Sequence, residues 1–122
     1  MQISDAESVV MQALWDKSPL PAEDVFAAVA DGQGWQEPTV KTLLNRLLKK
    51  GAIRAERDGR RYLYAPVLSR AAWLGQESEG LVDRLFGGRI APMVAHFTER
   101  GKLSKKDLAE LRQLLEDLDD DR

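Results

Sequence analysis

The sequence predicts a mainly α-helical protein that carries one small β-hairpin. In residues 37–50, apolar side chains recur at helical spacing, which places them together on one face of a helix. These side chains are Val40, Leu43, Leu44, Leu47 and Leu48. Immediately afterwards, apolar and charged residues alternate on both sides of Asp58-Gly59, a dipeptide typical of a tight hairpin turn. With two more helical segments before them, these elements predict a winged helix-turn-helix domain in residues 1–68, followed by a helical dimerisation domain in residues 69–122.

The first two helices are predicted from their start signals. Ser4 and Glu7 have the spacing of a capping box, in which each side chain bonds the other's backbone N–H, and the helix that they begin should end near Trp15. Two prolines in the segment Ser18–Pro21 break the chain. A second helix is then expected from about Ala22 to Ala30, because acidic residues occupy its first turn.

The third helix presents a polar face that contains cations and neutral hydrogen-bonding groups but no carboxylate. The nearest acid, Glu37, lies at the helix start, and Gly51 ends the helix. The hairpin that follows gathers three arginines near its tip. A cationic helix joined to an arginine-rich wing suits DNA, with the helix in the major groove and the wing along phosphates. The predicted DNA-binding residues are Thr39, Lys41, Thr42, Asn45, Arg46 and Lys49 of the helix and Arg57, Arg60 and Arg61 of the wing.

The chemistry of each side chain on this helix favours a particular contact. Arg46 can pair with guanine through O6 and N7, and Asn45 can pair with adenine. Thr42 can meet a thymine methyl group, while Lys41 and Lys49, nearer the edges of the face, are expected at phosphates. The alternative is an ordinary solvated helix face beside a wing whose arginines protect an exposed strand edge. Because the face lacks acids and is followed directly by the wing, DNA contact is favoured.

The charge distribution agrees with a nucleic-acid partner, although the whole chain has a net charge of −2. Residues 1–35 contain six acids and one lysine. Residues 36–66, in contrast, contain eight lysines and arginines against three acids. Because the local field governs the attraction of phosphates more than the total charge does, this second stretch is the part of the chain expected to bind DNA.

Composition argues against several other classes of protein. The 122 residues, 43% of them hydrophobic and 31% charged, suit a soluble protein of one compact domain or a small domain with an appendage. No apolar run approaches the roughly 20 residues of a membrane helix and no leader opens the chain, so a cytoplasmic location is expected. With no cysteine and a single histidine, His96, the chain offers no recognisable metal, cofactor or catalytic motif, and we expect no enzyme.

The C-terminal domain carries more apolar surface than its short helices can bury among themselves. Ser69 and Ser104 are placed to cap the first and last of these helices, and Gly87-Gly88 and Gly101 separate them. We therefore expect a homodimer, since a helix–helix interface would bury this surface and a two-fold operator requires a two-fold protein. The alternative is a monomer in which these helices pack onto the winged helix. The predicted interface comprises Trp73, Leu81, Leu85, Phe86, Ile90, Met93, Phe97, Leu108, Leu111 and Leu115.

Several stretches of the chain together resemble a known family. They are Ile3–Glu7, Leu14-Trp15, Thr39–Leu47, Lys50-Gly51, Tyr62–Pro66, Leu85–Gly88, Ala95–Phe97 and Leu103-Ser104. Through them the chain resembles the penicillinase-repressor (BlaI/MecI/CopY) family of bacterial transcriptional regulators over essentially its whole length. The resemblance implies a homodimeric repressor whose winged helices bind double-stranded DNA at a dyad operator and whose C-terminal helices join the two subunits.

The resemblance also implies a mode of control. In the best-known members a membrane sensor metalloprotease that detects β-lactam triggers cleavage in the C-terminal region, so derepression by proteolysis is expected, without stable association of the repressor with the membrane. The matching segment is Ala95–Thr98, with a candidate cleavage site at His96-Phe97, where His96 replaces the asparagine of the penicillinase repressors. The cysteine pairs that bind metal in copper-responsive relatives are absent, which argues against a copper switch. A small-molecule-responsive winged-helix regulator and a winged-helix protein-interaction module remain the alternatives.

Overall fold

Helices dominate the structure, and a small antiparallel sheet accompanies them. The computed structural model describes residues 1–120, in which the chain forms six α-helices and three β-strands. The predicted mainly α fold class is confirmed, with one strand more than the hairpin supplies. In chain order the elements are α1 (Asp5–Asp16), β1 (Leu20–Pro21), α2 (Ala22–Gln33), α3 (Glu37–Lys50), β2 (Ile53–Asp58), β3 (Arg61–Pro66), α4 (Arg70–Phe86), α5 (Ile90–Glu99) and α6 (Lys105–Asp120).

The chain divides into two compact units, Met1–Gly75 and Gln76–Arg122, which we call the N-terminal and C-terminal units. The division falls inside α4. α4 begins after Ser69, whose hydroxyl accepts a hydrogen bond from the N–H of Ala72 (3.1 Å), as the predicted cap requires.

α1 begins at the capping box that the sequence predicts. The Ser4 hydroxyl accepts a hydrogen bond from the Glu7 N–H (3.1 Å), and the Glu7 carboxylate accepts one from the Ser4 N–H (2.9 Å). The helix ends at Asp16, one residue beyond the expected end. Its inward residues are fully buried, so α1 supplies one wall of the core. They are Val10, Met11 and Leu14.

α2 is longer than predicted. It continues to Gln33 rather than stopping near Ala30, because the residue able to end it, Gly34, comes later and has a φ of +68°. α3 ends as expected at Gly51, whose φ of +77° lets its N–H bond the carbonyl groups of the last helical turn. Both helices are thus ended by a left-handed glycine.

The sheet contains three strands in the order β1–β3–β2, all antiparallel. The sequence did not predict β1, because a two-residue strand that includes Pro21 has no detectable alternation. β1 lies at the edge of the sheet, where proline is tolerated since its missing N–H need not join the ladder. Leu20 pairs with Tyr64, which attaches the segment before α2 to the hairpin.

The hairpin turn lies one residue later than predicted. The strand register pairs Asp58 with Arg61, so the two-residue loop is Gly59-Arg60 and not Asp58-Gly59. Gly59 has a φ of +65°, and no non-glycine residue in the described chain has a positive φ, which is the pattern of a type II′ turn. The shift leaves Arg57 in the strand and puts Arg60 in the loop itself.

One hydrophobic core fills the N-terminal unit, and the apolar stripe of α3 belongs to it. Val40, Leu44 and Leu47 are 0% exposed, and burial of each such side chain is worth about 1.5–3 kcal/mol relative to exposure. Trp73, from the start of α4, packs at the edge of this core with its ring centroid 5.4 Å from that of Trp15. α3 is therefore held in a single rotational setting about its axis.

A buried ion pair ties the end of α3 to the start of α1. The Glu7 carboxylate, 1% exposed, accepts a hydrogen bond from the Lys50 ammonium, which also donates to the Gln2 carbonyl (2.9 Å). Burial raises the pKa of Glu7, but the hydrogen bonds from Lys50 and Ser4 outweigh that effect and hold this pKa below its ordinary value. The ion pair therefore stabilises the fold above the unfolded-state pKa of Glu7, and this stability is lost as pH falls through the lowered folded-state pKa.

The C-terminal unit contains the rest of α4, then α5 and α6. Gly87 and Gly88 both have positive φ and separate α4 from α5, as the sequence predicts. A second capping box begins α6: the Ser104 hydroxyl accepts from the Asp107 N–H (3.0 Å), and the Asp107 carboxylate accepts from the Ser104 N–H (3.3 Å). Within residues 76–120, Val82 is the one buried hydrophobic residue, and most of the apolar side chains in this range are exposed.

Replacing Lys50 with alanine should lower the free energy of unfolding by about 1–3 kcal/mol at neutral pH, because the Glu7 carboxylate stays buried after losing its charged donor. Lys49→Ala is the matched control, since Lys49 is exposed at the neighbouring position and its loss should change that free energy by less than about 0.5 kcal/mol. Urea unfolding followed by tryptophan fluorescence measures both values.

The difference in free energy of unfolding between the wild type and Lys50→Ala should also become smaller as the pH falls from about 6 to about 3. The pKa of Glu7 is lowered in the folded wild type, so protonation in this window removes the charge that Lys50 stabilises. If Lys50→Ala lowers the free energy of unfolding by the same amount at both ends of this pH range, the ion pair does not stabilise the fold. The same conclusion follows if Lys50→Ala and Lys49→Ala lower it equally.

Candidate nucleic-acid interface

The polar face of α3 lies opposite its buried stripe. All of the helix residues predicted to bind DNA are exposed, and none is a carboxylate. Because the stripe is fixed in the core, this face cannot turn inward without unpacking the N-terminal unit. We call it the α3 arc, and it consists of Thr39, Lys41, Thr42, Asn45, Arg46 and Lys49.

Thr42 has a defined side-chain orientation within the α3 arc. Its hydroxyl donates a hydrogen bond to the Pro38 carbonyl (3.0 Å), one helical turn earlier. With its proton engaged in this way, Thr42 offers its methyl group rather than a hydroxyl donor to a ligand. This agrees with the apolar contact to a thymine methyl expected from the sequence.

The three wing arginines have different surroundings. Arg57 donates from Nε to the Gly59 carbonyl (3.2 Å), and its guanidinium carbon lies 6.0 Å from the centroid of the Tyr62 ring, at the limit of a cation–π contact. Arg60 lies in the turn and forms no ion pair within residues 1–120. Arg60 is therefore the wing cation with the fewest internal contacts.

Arg61 is paired with carboxylates on two elements. Its Nη1 lies 3.4 Å from Oε1 of Glu23, at the start of α2, and its Nε and Nη2 lie 3.4 and 3.5 Å from Oδ2 of Asp58. These side chains are all more than half exposed, so each pair is worth only about 0.2–1 kcal/mol. The absence of acids that characterises the α3 arc therefore does not extend to the tip of the wing.

A cleft of about 270 Å³ separates the first turns of α3 from the wing. Six of its lining residues were not predicted at the site, among them Glu23 and Tyr62. Tyr62 could have been found, because alternation along β3 places it on the same face as Tyr64. Glu23 could not, since only the folded chain brings it to the wing. The charged and aromatic residues that line the cleft are Glu23, Glu37, Lys41, Arg60, Arg61, Tyr62 and Tyr64.

The ten residues predicted at a dimer interface fall into three groups. Trp73 packs against Trp15 in the core of the N-terminal unit, so its half-buried ring already has a partner there. Phe86, Met93 and Leu111 are half-buried. The remaining six are exposed, and their contact with a second subunit stays a prediction. They are Leu81, Leu85, Ile90, Phe97, Leu108 and Leu115.

The candidate cleavage site, His96-Phe97, lies in α5, and both side chains are exposed. The His96 ring centroid lies 6.1 Å from that of Phe86 and 5.7 Å from that of Phe97, so the histidine rests against aromatic rings. The His96 carbonyl accepts a helical hydrogen bond from the Arg100 N–H (3.2 Å). Local unwinding of α5 would therefore have to precede proteolysis at this bond.

The residues that the structure describes provide neither a group that could bind a metal ion nor a helix that could span a membrane. Within residues 1–120, no group of three or more histidine, cysteine, aspartate or glutamate side chains is arranged to hold a metal ion. No helix in this range is both long and apolar enough to cross a membrane.

Comparison with known proteins places the sequence beside bacterial repressors. The sequence profile described as "Penicillinase repressor" matches residues 3–117. The chain is 34% identical to the penicillinase repressor of Bacillus licheniformis over 116 residues, which cover 95% of this chain and 91% of that protein. It is 28% identical over 114 residues to the methicillin resistance regulatory protein MecI of Mammaliicoccus sciuri, with 93% of each chain covered.

Solved structures of a repressor in this group resemble part of the chain. The DNA-binding domain of the repressor BlaI is 35% identical, with a TM-score of 0.54, and the match covers 58% of this chain and 87% of that domain. The monomeric form of Bacillus licheniformis BlaI, solved in complex with the blaP half-operator, is also 35% identical, with a TM-score of 0.53 and coverage of 59% and 88%.

Proposed function

Because the chain belongs to the penicillinase-repressor family, we propose that it represses transcription by binding a two-fold-symmetric operator as a dimer. Members of this family are DNA-binding transcriptional repressors and not enzymes, and so is this protein. The observation that carries the finer proposal is the α3 arc, whose polar and cationic side chains are exposed opposite a stripe that the core buries.

In the proposed complex, α3 lies in the major groove with its arc toward the base edges. Arg46 donates two hydrogen bonds to a guanine, and Asn45 pairs with an adenine. The Thr42 methyl group contacts a thymine methyl, because the Thr42 hydroxyl proton is engaged with the helix backbone. Lys41 and Lys49 contact phosphates and set the position of the helix in the groove.

The wing adds contacts that do not depend on sequence. Arg60, which lies in the turn, and Arg57 beside it are proposed to contact phosphates outside the groove that α3 occupies. Thr39, at the first turn of α3, is exposed and is proposed to add a hydroxyl contact to the backbone. These contacts should raise the affinity for any duplex and make it strongly dependent on salt.

One N-terminal unit is proposed to recognise one half of the operator. The related BlaI was solved in its monomeric form in complex with a half-operator, and the match covers 59% of this chain and 88% of that structure. The C-terminal unit is proposed to join two subunits through its exposed leucines, of which Leu115 is 61% exposed. Burial of such side chains is worth about 25 cal/mol per Å², and a dimer would space two α3 helices one turn of DNA apart or a multiple of it.

Control of the repressor is proposed to act on the C-terminal unit. Cleavage at His96-Phe97, after local unwinding of α5, would remove α6 and with it much of the apolar surface available to a second subunit. A membrane sensor metalloprotease is the partner that the family resemblance implies for this step, with the repressor itself in the cytoplasm. Exposure of both residues supports the proposal.

The proposed dimer can be tested with Leu115→Glu, which places a charge on the exposed apolar face of α6. The variant should be monomeric at micromolar concentration in analytical ultracentrifugation, and its affinity for the full operator should fall about 100-fold, since the two half-sites are no longer bound together. Its affinity for an isolated half-site should stay within about twofold of the wild type.

Ala109→Glu is the matched control, because Ala109 is exposed on α6 away from the leucine face and the same charge there should leave the dimer intact. A Leu115→Glu variant that remains dimeric would show that α6 is not the interface. Equal loss of half-site and full-site binding would point to a damaged fold instead.

Replacing Arg46 with alanine should relax discrimination at one base pair of the operator by about 1–3 kcal/mol, because the bidentate contact to guanine is lost. Lys49→Ala serves as the comparison and should weaken operator and random DNA to the same degree. Binding to a set of operators that carry every single-base change measures the difference. Should Arg46→Ala instead behave like Lys49→Ala, Arg46 contacts phosphate and another residue specifies the base.

A further inference from the structure

The cleft between α3 and the wing brings opposite charges together in a small space. It places Lys41 of α3 beside Arg60, Arg61 and Tyr62 of the wing. Glu23, from the start of α2, lines the same cleft and lies within 3.4 Å of Arg61. Three cations and two tyrosines thus surround a space that also holds two carboxylates. One is Glu37 at the start of α3, and the other is Glu23, which is already paired with Arg61.

A DNA backbone has to pass this cleft when α3 occupies the major groove. The walls of the groove are the two sugar-phosphate backbones, so a helix inside it has a strand along each flank. The wing stands beside one flank of α3, and the strand on that side runs between the two elements. Lysine, arginine and tyrosine side chains are regular donors to phosphate oxygens, so the cleft has the chemistry to hold one.

Without DNA, Arg61 is paired with carboxylates, and these pairs oppose its contact with a phosphate. In the absence of DNA its guanidinium donates to Glu23 and Asp58 at 3.4–3.5 Å. The Arg61–Glu23 pair is solvent-exposed, and such a pair changes an equilibrium constant by no more than about fivefold. A phosphate that enters between Lys41 and Arg60 is attracted by both of these cations as well as by Arg61. It can therefore displace Glu23 from Arg61.

We propose that a backbone phosphate of bound DNA occupies this cleft and that Arg61 exchanges Glu23 for that phosphate. The inference rests on the proposed function and adds to it a phosphate-binding site and a carboxylate, that of Glu23, which competes with the phosphate for Arg61. Asp58 lies in the hairpin next to Arg61 and can keep its contact, which orients the guanidinium. Glu23 then lowers the affinity for every duplex by the same factor and leaves discrimination between sequences unchanged.

A double-mutant cycle on the full-length protein tests the exchange. Four proteins are titrated into a fluorescent random-sequence duplex at several salt concentrations, and binding is measured by fluorescence anisotropy. They are the wild type, Glu23→Gln, Arg61→Ala and the double variant. Glu23→Gln should bind up to about fivefold tighter. Because the wild type already makes the phosphate contact, the slope of log affinity against log salt should change by less than the value of about 0.9 for one full contact, whereas Arg61→Ala should flatten it by up to that amount. Arg61→Ala should bind more weakly, and adding Glu23→Gln to it should change nothing further.

Asp24→Asn is the matched control, since it removes the same charge from the adjacent, exposed position of α2, which does not line the cleft. If it tightens binding as much as Glu23→Gln, or if Glu23→Gln acts equally in the Arg61→Ala background, Glu23 is only a general negative charge and the exchange is wrong. Wild-type affinity in Arg61→Ala would remove the phosphate site itself, while operator recognition by the α3 arc would stand. Absence of any DNA binding by the wild type would instead overturn the proposed function.

Discussion

Burial of one stripe of α3 is the constraint on which the rest of the structure depends. Val40, Leu44 and Leu47 are inaccessible to solvent in the core of the N-terminal unit, and rotation of α3 about its axis would expose them. At about 1.5–3 kcal/mol for each side chain, such a rotation would cost much of the stability of a small domain. The direction of the opposite arc is therefore set by hydrophobic packing, and the polar residues on it are free to serve binding.

Electrostatics in the N-terminal unit separates cations that stabilise the fold from cations that are available to DNA. Lys50 is committed to the buried Glu7, and its neighbour Lys49 faces solvent. At the wing, Arg61 is partly neutralised by acids while Arg60 is not. A repressor must release non-specific sites in order to find its operator, and carboxylates beside a phosphate-binding surface weaken binding to every sequence alike.

Local features of the fold could be predicted from the sequence, and features that join distant residues could not. The capping box at Ser4, the α3 stripe and the hairpin depend on short spacings, and each was predicted, the first two at the right residues. The turn was displaced by one residue because Gly59 can serve in either position of a two-residue loop, and only the strand register decides between them. β1 was missed because its two residues form a strand only by pairing with β3.

The same distinction applies to the site. The exposure of the α3 arc was predicted correctly, since helical periodicity alone separates it from the core, while its contact with DNA stays a prediction. The pairing of Arg61 with Glu23 joins residues 38 positions apart, and the contact of Trp73 with Trp15 depends on where α4 starts relative to α1. No spacing in the sequence indicates either contact, so the carboxylate that pairs with Arg61 could be identified only in the structure.

The central claim is that α3 presents its arc to DNA, and an NMR titration of the isotope-labelled protein with a duplex tests it most directly. The largest amide shift changes should fall between Thr39 and Lys49 and at the wing turn, while the outer face of α2 around Ala27 and Ala28 should stay unchanged. Changes concentrated on that outer face of α2 or confined to the C-terminal unit, with α3 unaffected, would contradict the claim.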